Sequence, residues 1–137
     1  MENNHNKIGV AQKAIILNKD GKLLALRRTE TAPSGPLRWD LPGGNLDFGE
    51  DPTKGIIREV KEETGLDIKN PAPFDVEAHI NPLGDFWVTI AYKVNCASES
   101  VKLSYEHDDH RWVTPAEFLK LESGEKFRRF VKKLISD

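Results

Sequence analysis

The sequence holds one cysteine, Cys96, among 137 residues. That excludes an internal disulfide and any metal site built on paired thiols, and leaves a small buried hydrophobe as its default role. No apolar run approaches the roughly 18 residues of a membrane-spanning helix. Residues Met1–Lys7 are polar and lack the apolar core of a secretory signal, so they read as a flexible tail on a cytoplasmic chain with no membrane partner. A net charge of −2 gives no whole-molecule pull toward nucleic acid, so a polyanion must be held locally. There is no internal repeat and no low-complexity tract. A chain of 137 residues, 38% apolar, suits one globular domain spanning residues 1–137.

The stretch Gly43–Leu66 organises what is present. It reads as a glycine-rich loop feeding a short acidic helix. Asp51 is a good N-cap, Pro52 fits the first helical position because its fixed φ is already helical, and Gly65 is a stop signal, so the helix is expected over Pro52–Thr64. At about 100° per residue, Glu59, Glu62 and Glu63 fall on one arc, with Ile56, Ile57, Val60 and Thr64 beside it as an apolar stripe. Gly55 lies within the acidic arc, one turn before Glu59. A glycine there costs roughly 1 kcal/mol against alanine, which points to something that needs the room.

Carboxylates crowded on a partly buried edge repel one another by roughly 3 kcal/mol per pair at an effective dielectric near 20. They therefore call for a cation. Oxygen ligands without histidine or cysteine nearby favour a hard ion such as Mg2+, or Mn2+, over zinc. The bland alternative is a solvated helix face with weak salt bridges, and Arg58 is a candidate internal counter-charge.

The spacing of Gly44, Glu50, Arg58, Glu59, Val60, Glu62, Glu63, Gly65 and Leu66 resembles the Nudix box, and every specified position is filled over 23 residues. Chance agreement at a given start is on the order of one in 10⁸. The resemblance implies an α/β fold, a Nudix-type α/β/α sandwich around a mixed β-sheet, and a metal-dependent pyrophosphohydrolase acting on a nucleoside diphosphate linked to another group. It implies Glu59 and Glu63 as the main metal ligands, Glu62 as a further ligand or water-orienting carboxylate, and the Gly43 carbonyl as completing the shell. Glu50 and Arg58 would brace loop against helix, and Arg28, Trp39 and Gly44 would face the substrate. Related domains often pair, so a homodimer is admitted.

The remaining chain is read in order. Ile8–Asn18 and Lys22–Arg28 form a hairpin through the Asp20–Gly21 turn. Thr29–Pro36 is a proline-rich loop. Trp39 is first an anchor for that loop, with nucleobase stacking as the alternative. Asp67–Lys69 reads as a short strand and Asn70–Pro73 as a break. Phe74–Ile80 reads as a half-buried strand with Phe74, Val76, Ala78 and Ile80 inward. Phe86–Val94 is a further strand, and Val101–Leu103 a short one. A helix starts at Thr114 through a capping box, and a last helix over Glu125–Ile135 carries the core stripe Phe127, Phe130, Val131 and Leu134, with Lys126, Arg128, Arg129, Lys132 and Lys133 opposite.

Between Tyr105 and Val113 lies a second acidic cluster. His107 and His110 do not make a zinc site there, since their spacing has meaning only on a helix. The resemblance makes Glu106 the candidate water-activating base, with Asp108 and Asp109 as rivals and Glu62 as the alternative. The substrate reading is a (deoxy)nucleoside triphosphate, including oxidised guanine nucleotides. Alternatives are ADP-ribose, from Pro82 sixteen residues past Leu66, and dinucleoside polyphosphates. A reading of another class is a nucleotide- or RNA-binding module without catalysis. Such modules usually lack box carboxylates, and here all are present.

Overall fold

The computed structural model describes residues 7–136; most of the expected N-terminal tail lies outside them. Lys7, counted in that tail, is tied to the sheet, its carbonyl accepting from the Phe86 amide at 2.8 Å. The elements are β1 (Ile8–Leu17), β2 (Leu23–Arg28), β3 (Trp39–Asp40), β4 (Gly43–Asn45), α1 (Pro52–Thr64), β5 (Ala72–Ile80), β6 (Phe86–Asn95), β7 (His107–Val113), α2 (Pro115–Phe118) and α3 (Glu125–Ser136).

One sheet runs β3-β2-β1-β6-β5, with β4 added to β1 and β7 to β2. It is mixed, because β1 and β6 are parallel from Ile8↔Phe86 to Leu17↔Asn95, whereas the other pairs are antiparallel. Alternation along β1 and β6 sends side chains to two cores. Ala14, Ile16, Tyr92 and Val94 pack under Ile56 and Val60 of α1. Ile15 and Ala91 pack with Phe118 of α2 and with Phe130 and Val131 of α3. Helices thus cover both faces, the expected sandwich. No helix among the described residues is long and apolar enough to cross a membrane.

Helix α1 has the expected bounds for local reasons. The Asp51 side chain accepts from the Lys54 amide, Pro52 begins the first turn, and Gly65 closes the helix at φ 76°, a left-handed conformation that glycine adopts without a Cβ penalty. The Gln12 side-chain amide donates to the Pro52 carbonyl at 2.8 Å and to the Tyr92 hydroxyl at 2.7 Å, tying the helix start to the sheet centre.

Several strand expectations are corrected. Asp67–Lys69 and Val101–Leu103 are not strands; Ile68, Val101 and Leu103 instead lie along the α1 core as packed coil. Strand β5 starts at Ala72, inside the expected break, where an edge position tolerates Pro73. Its faces are also reversed. A register shift between Pro73 and Asp75 places Phe74 and Asp75 both toward α3. Val76 and Ile80 are consequently 50% and 70% exposed, while the side chain of Asp75 is only 11% exposed. Strand β7 begins at His107, so Asp108 and Asp109 of the second acidic cluster lie within a strand.

Candidate active site

The loop from β4 to α1 sets the site. At Gly43, φ is 139°, and a Cβ there would collide with the Gln12 carbonyl, so β4 can lie this close to β1 only with glycine. A Cβ on Gly44 would collide with Glu59 Oε2, which places the Glu59 carboxylate directly against the loop. Glu63 Oε1 accepts from the Gly43 amide at 3.0 Å. The space at Gly55 is taken by Gln12 Oε1 and the Glu50 carboxyl, which a Cβ would meet at 2.9 and 3.0 Å.

Arg58 grips Glu50 with two hydrogen bonds, Nε to Oε2 at 2.8 Å and Nη2 to Oε1 at 3.1 Å. The Asp47 amide also donates to Glu50 Oε1 at 3.2 Å, so one carboxylate joins loop and helix. These contacts hold the Glu50 carboxyl below its ordinary range, the Arg58 hydrogen bond being the main cause.

Glu59 and Glu63 have no such partner. Both are buried, and Glu59 Oε1 has no hydrogen bond among the described residues. Burial pushes Glu59 up to about 7; Arg58 opposes the rise and the nearby Glu63 adds to it. Burial likewise pushes Glu63 up to about 7, against Lys13 and the Gly43 hydrogen bond. Two buried carboxylates, one with an orphaned oxygen, beside a glycine loop are a donor set that fits a hard divalent cation. Glu62 does not join them; its side chain is 61% exposed and pairs with Arg58 at 3.0 Å. Among the described residues no three acidic, histidine or cysteine side chains form a ready-made ion cage.

Across the loop lies a network the sequence reading did not find. Asp40, 1% exposed, receives Lys13 Nζ at 3.0 Å and Arg28 Nη1 at 3.2 Å, while His107 Nε2 approaches to 3.5 Å. Burial alone would raise this carboxyl, but Lys13, with His107 adding, holds it well below the usual range. Lys13 Nζ also donates to the Leu41 carbonyl at 3.1 Å and lies 3.5 Å from that of Gly43. A lysine within the apolar run of β1 was the signal available.

These groups line one cavity of about 820 Å³, which includes Arg28, Gly43, Gly44, Glu59, Glu62, Glu63 and Glu106. Asp108 and Asp109 are not in its wall; Asp108 pairs with Arg27 at 2.8 Å. Trp39 contributes to the wall but is 6% exposed, packed in the α3 core with Arg111 4.6 Å over its ring, a position suited to anchoring. Lys126, expected on the solvated face of α3, instead lines the cavity and reaches Thr89 Oγ1 at 3.3 Å. Pro82 is exposed in the β5–β6 turn and outside the cavity wall.

The NUDIX domain model matches residues 7–134. An 8-oxo-dGTP diphosphatase from Proteus vulgaris is 30% identical over 57% of this chain and 67% of its own length. An RNA pyrophosphohydrolase from Zymomonas mobilis is 27% identical over 82% of this chain and 64% of its own length. The chain spans only about a third of the length of several other curated relatives, including 36% of a MutT-like protein from Streptomyces ambofaciens. Among solved structures, a MutT protein from Methanosarcina mazei Go1 aligns with a TM-score of 0.81 at 30% identity, covering 96% of this chain and 95% of that one. A C. elegans Ap4A hydrolase shares the fold at a TM-score of 0.76 and 23% identity, over 93% of this chain and 96% of that one. With Gly44, Glu59, Glu62 and Glu63 of the box lining one cavity and the family model matching nearly its whole length, the chain belongs to the NUDIX domain family.

Proposed function

We propose that the chain is a single-domain, divalent-metal-dependent pyrophosphohydrolase that cleaves (deoxy)nucleoside triphosphates, oxidised guanine nucleotides included, to a nucleoside monophosphate and pyrophosphate. The observation that carries this reading is the pair Glu59 and Glu63, buried, uncompensated and facing the Gly43–Gly44 loop in an open cavity. Glu59, Glu63 and the Gly43 carbonyl would hold Mg2+ or Mn2+. When bound, the ion supplies screening of the diphosphate charge and activation of water.

The chain's own groups do the rest. The Arg58–Glu50 fork fixes the loop that carries Gly43 and Gly44 relative to the helix that carries the carboxylates. Lys13, locked to Asp40, sets the far side of the same loop. Glu106, on the cavity wall just before β7, would take the proton of the attacking water, with Glu62 as the alternative. The names of the relatives support the class, and the diphosphatase from Proteus supports the choice of nucleotide.

The test is chromatographic detection of the nucleotide products formed from a panel of nucleoside triphosphates, ADP-ribose and dinucleoside polyphosphates with Mg2+, for the wild type and Glu63→Gln. Turnover of a triphosphate that collapses in the variant is the expected result. Turnover unaffected by the substitution would remove the metal-site assignment, and no turnover on any substrate would favour a binding module.

A further inference from the structure

The loop end of the β2–β3 hairpin sets two arginines against each other. The Arg28 amide donates to the Arg38 carbonyl at 2.9 Å and the Leu37 amide to the Arg28 carbonyl at 3.1 Å, so the strands stay paired up to this point. Their stems run along the same glycine: a Cβ on Gly35 would meet Arg38 Cδ at 3.6 Å and Arg28 Cδ at 3.7 Å. Like charges facing each other across paired strands are destabilising. The backbone that presents them is also unfavourable, because Leu37 adopts a φ of 62°, a left-handed conformation that a leucine rarely takes. Strain of this kind persists where the surroundings over-determine it, which is common at ligand clamps.

The protein compensates only one of the two. Arg28 donates to the Ser34 carbonyl at 2.6 Å and to Asp40 at 3.2 Å, and Asp40 is already shared with Lys13. Arg38 has no ion pair or side-chain hydrogen bond among the described residues, and it lines the same cavity as Glu59 and Glu63. The same cavity therefore holds buried carboxylates with no cation in contact among the described residues and, in exposed Arg38, a guanidinium free to take an anion. The planar donor fork of arginine matches a phosphate better than it matches a sugar or a base.

We propose that Arg38, beside Arg28 across the hairpin end, seats a phosphate lying third or later along the substrate's chain, so that the cavity selects polyphosphates over a diphosphate joined to a sugar. This rests on the proposed hydrolase reading for where the first two phosphates lie, and it names Arg38 as a specificity residue that touches substrate without taking part in bond breaking.

The test separates seat from reaction. Calorimetry with the full chain in Ca2+ measures binding of inorganic tripolyphosphate and of pyrophosphate to the wild type, Arg38→Gln and Arg38→Lys. The expected result is about tenfold or greater weakening of tripolyphosphate by Arg38→Gln, partial rescue by lysine, and pyrophosphate changed less than twofold. Equal effects on both ligands, no effect on either, or a wild type that does not distinguish them would overturn the seat. In turnover, Arg38→Gln should raise KM for a nucleoside triphosphate at unchanged kcat and leave ADP-ribose untouched. A matching rise for a dinucleoside tetraphosphate would show that the seat accepts a phosphate from either kind of polyphosphate. Tripolyphosphate selectivity in a wild type that cleaves nothing would remove the enzyme and keep the seat; cleavage without selectivity would do the reverse.

Discussion

Replacing Glu63, a proposed metal ligand, should make the metal-free protein more stable. Glu63 is 9% exposed and keeps its proton until about pH 7 instead of 4.5. At 1.36 kcal/mol per pH unit, the ionised carboxylate weakens the metal-free fold by roughly 3 kcal/mol. The sign follows from proton counting. Between pH 4.5 and 7 the folded chain holds a proton that the unfolded chain has released, so stability falls as pH rises through that window and stays low above it. Glu63→Gln has no charge to bury, and its amide oxygen can still accept from the Gly43 amide. It also relieves Glu59, whose own rise includes a contribution from Glu63.

The assay is urea unfolding in EDTA for both proteins from pH 5 to pH 8.5, read as the difference between them so that groups titrating in both cancel. The variant should match the wild type near pH 5 and exceed it by about 2–3 kcal/mol at pH 8. Mn2+ at about 1,000 times its Kd should then reverse the order, since it adds about 4.1 kcal/mol to the protein that binds it. A flat difference across pH, or a variant less stable than the wild type at pH 8 in EDTA, would refute the reasoning that these carboxylates are uncompensated.

Arg58→Lys keeps the charge but loses the two-pronged grip on Glu50, so kcat/KM should fall about 10- to 100-fold with the fold retained; steady-state kinetics beside circular dichroism checks it, and undiminished activity would contradict the brace. Lys13→Met strands buried Asp40 with Arg28 as its remaining cation, and urea unfolding should show a loss of roughly 3 kcal/mol. Gly55→Ala gains about 1 kcal/mol of helix propensity but presses on Gln12 and Glu50 at 2.9 and 3.0 Å; no net gain in the urea midpoint and a several-fold drop in turnover are expected, and a stabilised, fully active variant would show the space to be idle. Glu106→Gln should lower kcat by about 10²-fold or more, whereas Asp108→Asn, held by Arg27 away from the cavity, should leave it near the wild-type value in pH-dependent kinetics.

The acidic helix was legible because everything that defines it is local. Cap, proline, apolar stripe and terminal glycine lie within fifteen residues, from Asp51 to Gly65, and each acts through backbone geometry that the sequence alone specifies. The same arithmetic puts Glu62 on the acidic arc, and it does line the cavity, but the angle does not say what the carboxylate pairs with. A helical angle gives a side chain's direction, and Arg58 four residues earlier decides where the carboxylate ends. On β5 the alternation of apolar residues was real but its sign was not readable. A one-residue irregularity at Pro73–Asp75 flips the faces, and the choice is made by α3, whose Arg129 holds Asp75 from 54 residues away. Arg38 does not stand out in the sequence because its partner arginine becomes a neighbour only when β2 and β3 pair.

Asp40 shows most clearly what a sequence withholds. Asp40 and Glu63 are both buried acids within a short distance of Lys13, which influences both. One is driven well below the usual carboxylate range and the other up to about 7. Burial is common to the two, so it cannot be the discriminating cause. What differs is hydrogen-bonded cationic company. Asp40 has Lys13 in contact, with His107 adding to its lowering, whereas Glu63 has one backbone amide. A carboxylate the fold has already neutralised can hold a loop in place but has little left to offer an ion. One that the fold has buried without neutralising remains the stronger ligand, at the cost of stability until the ion arrives. The boundary between scaffold and site therefore runs between Asp40 and Glu63, and the stability difference between wild type and Glu63→Gln measures it directly.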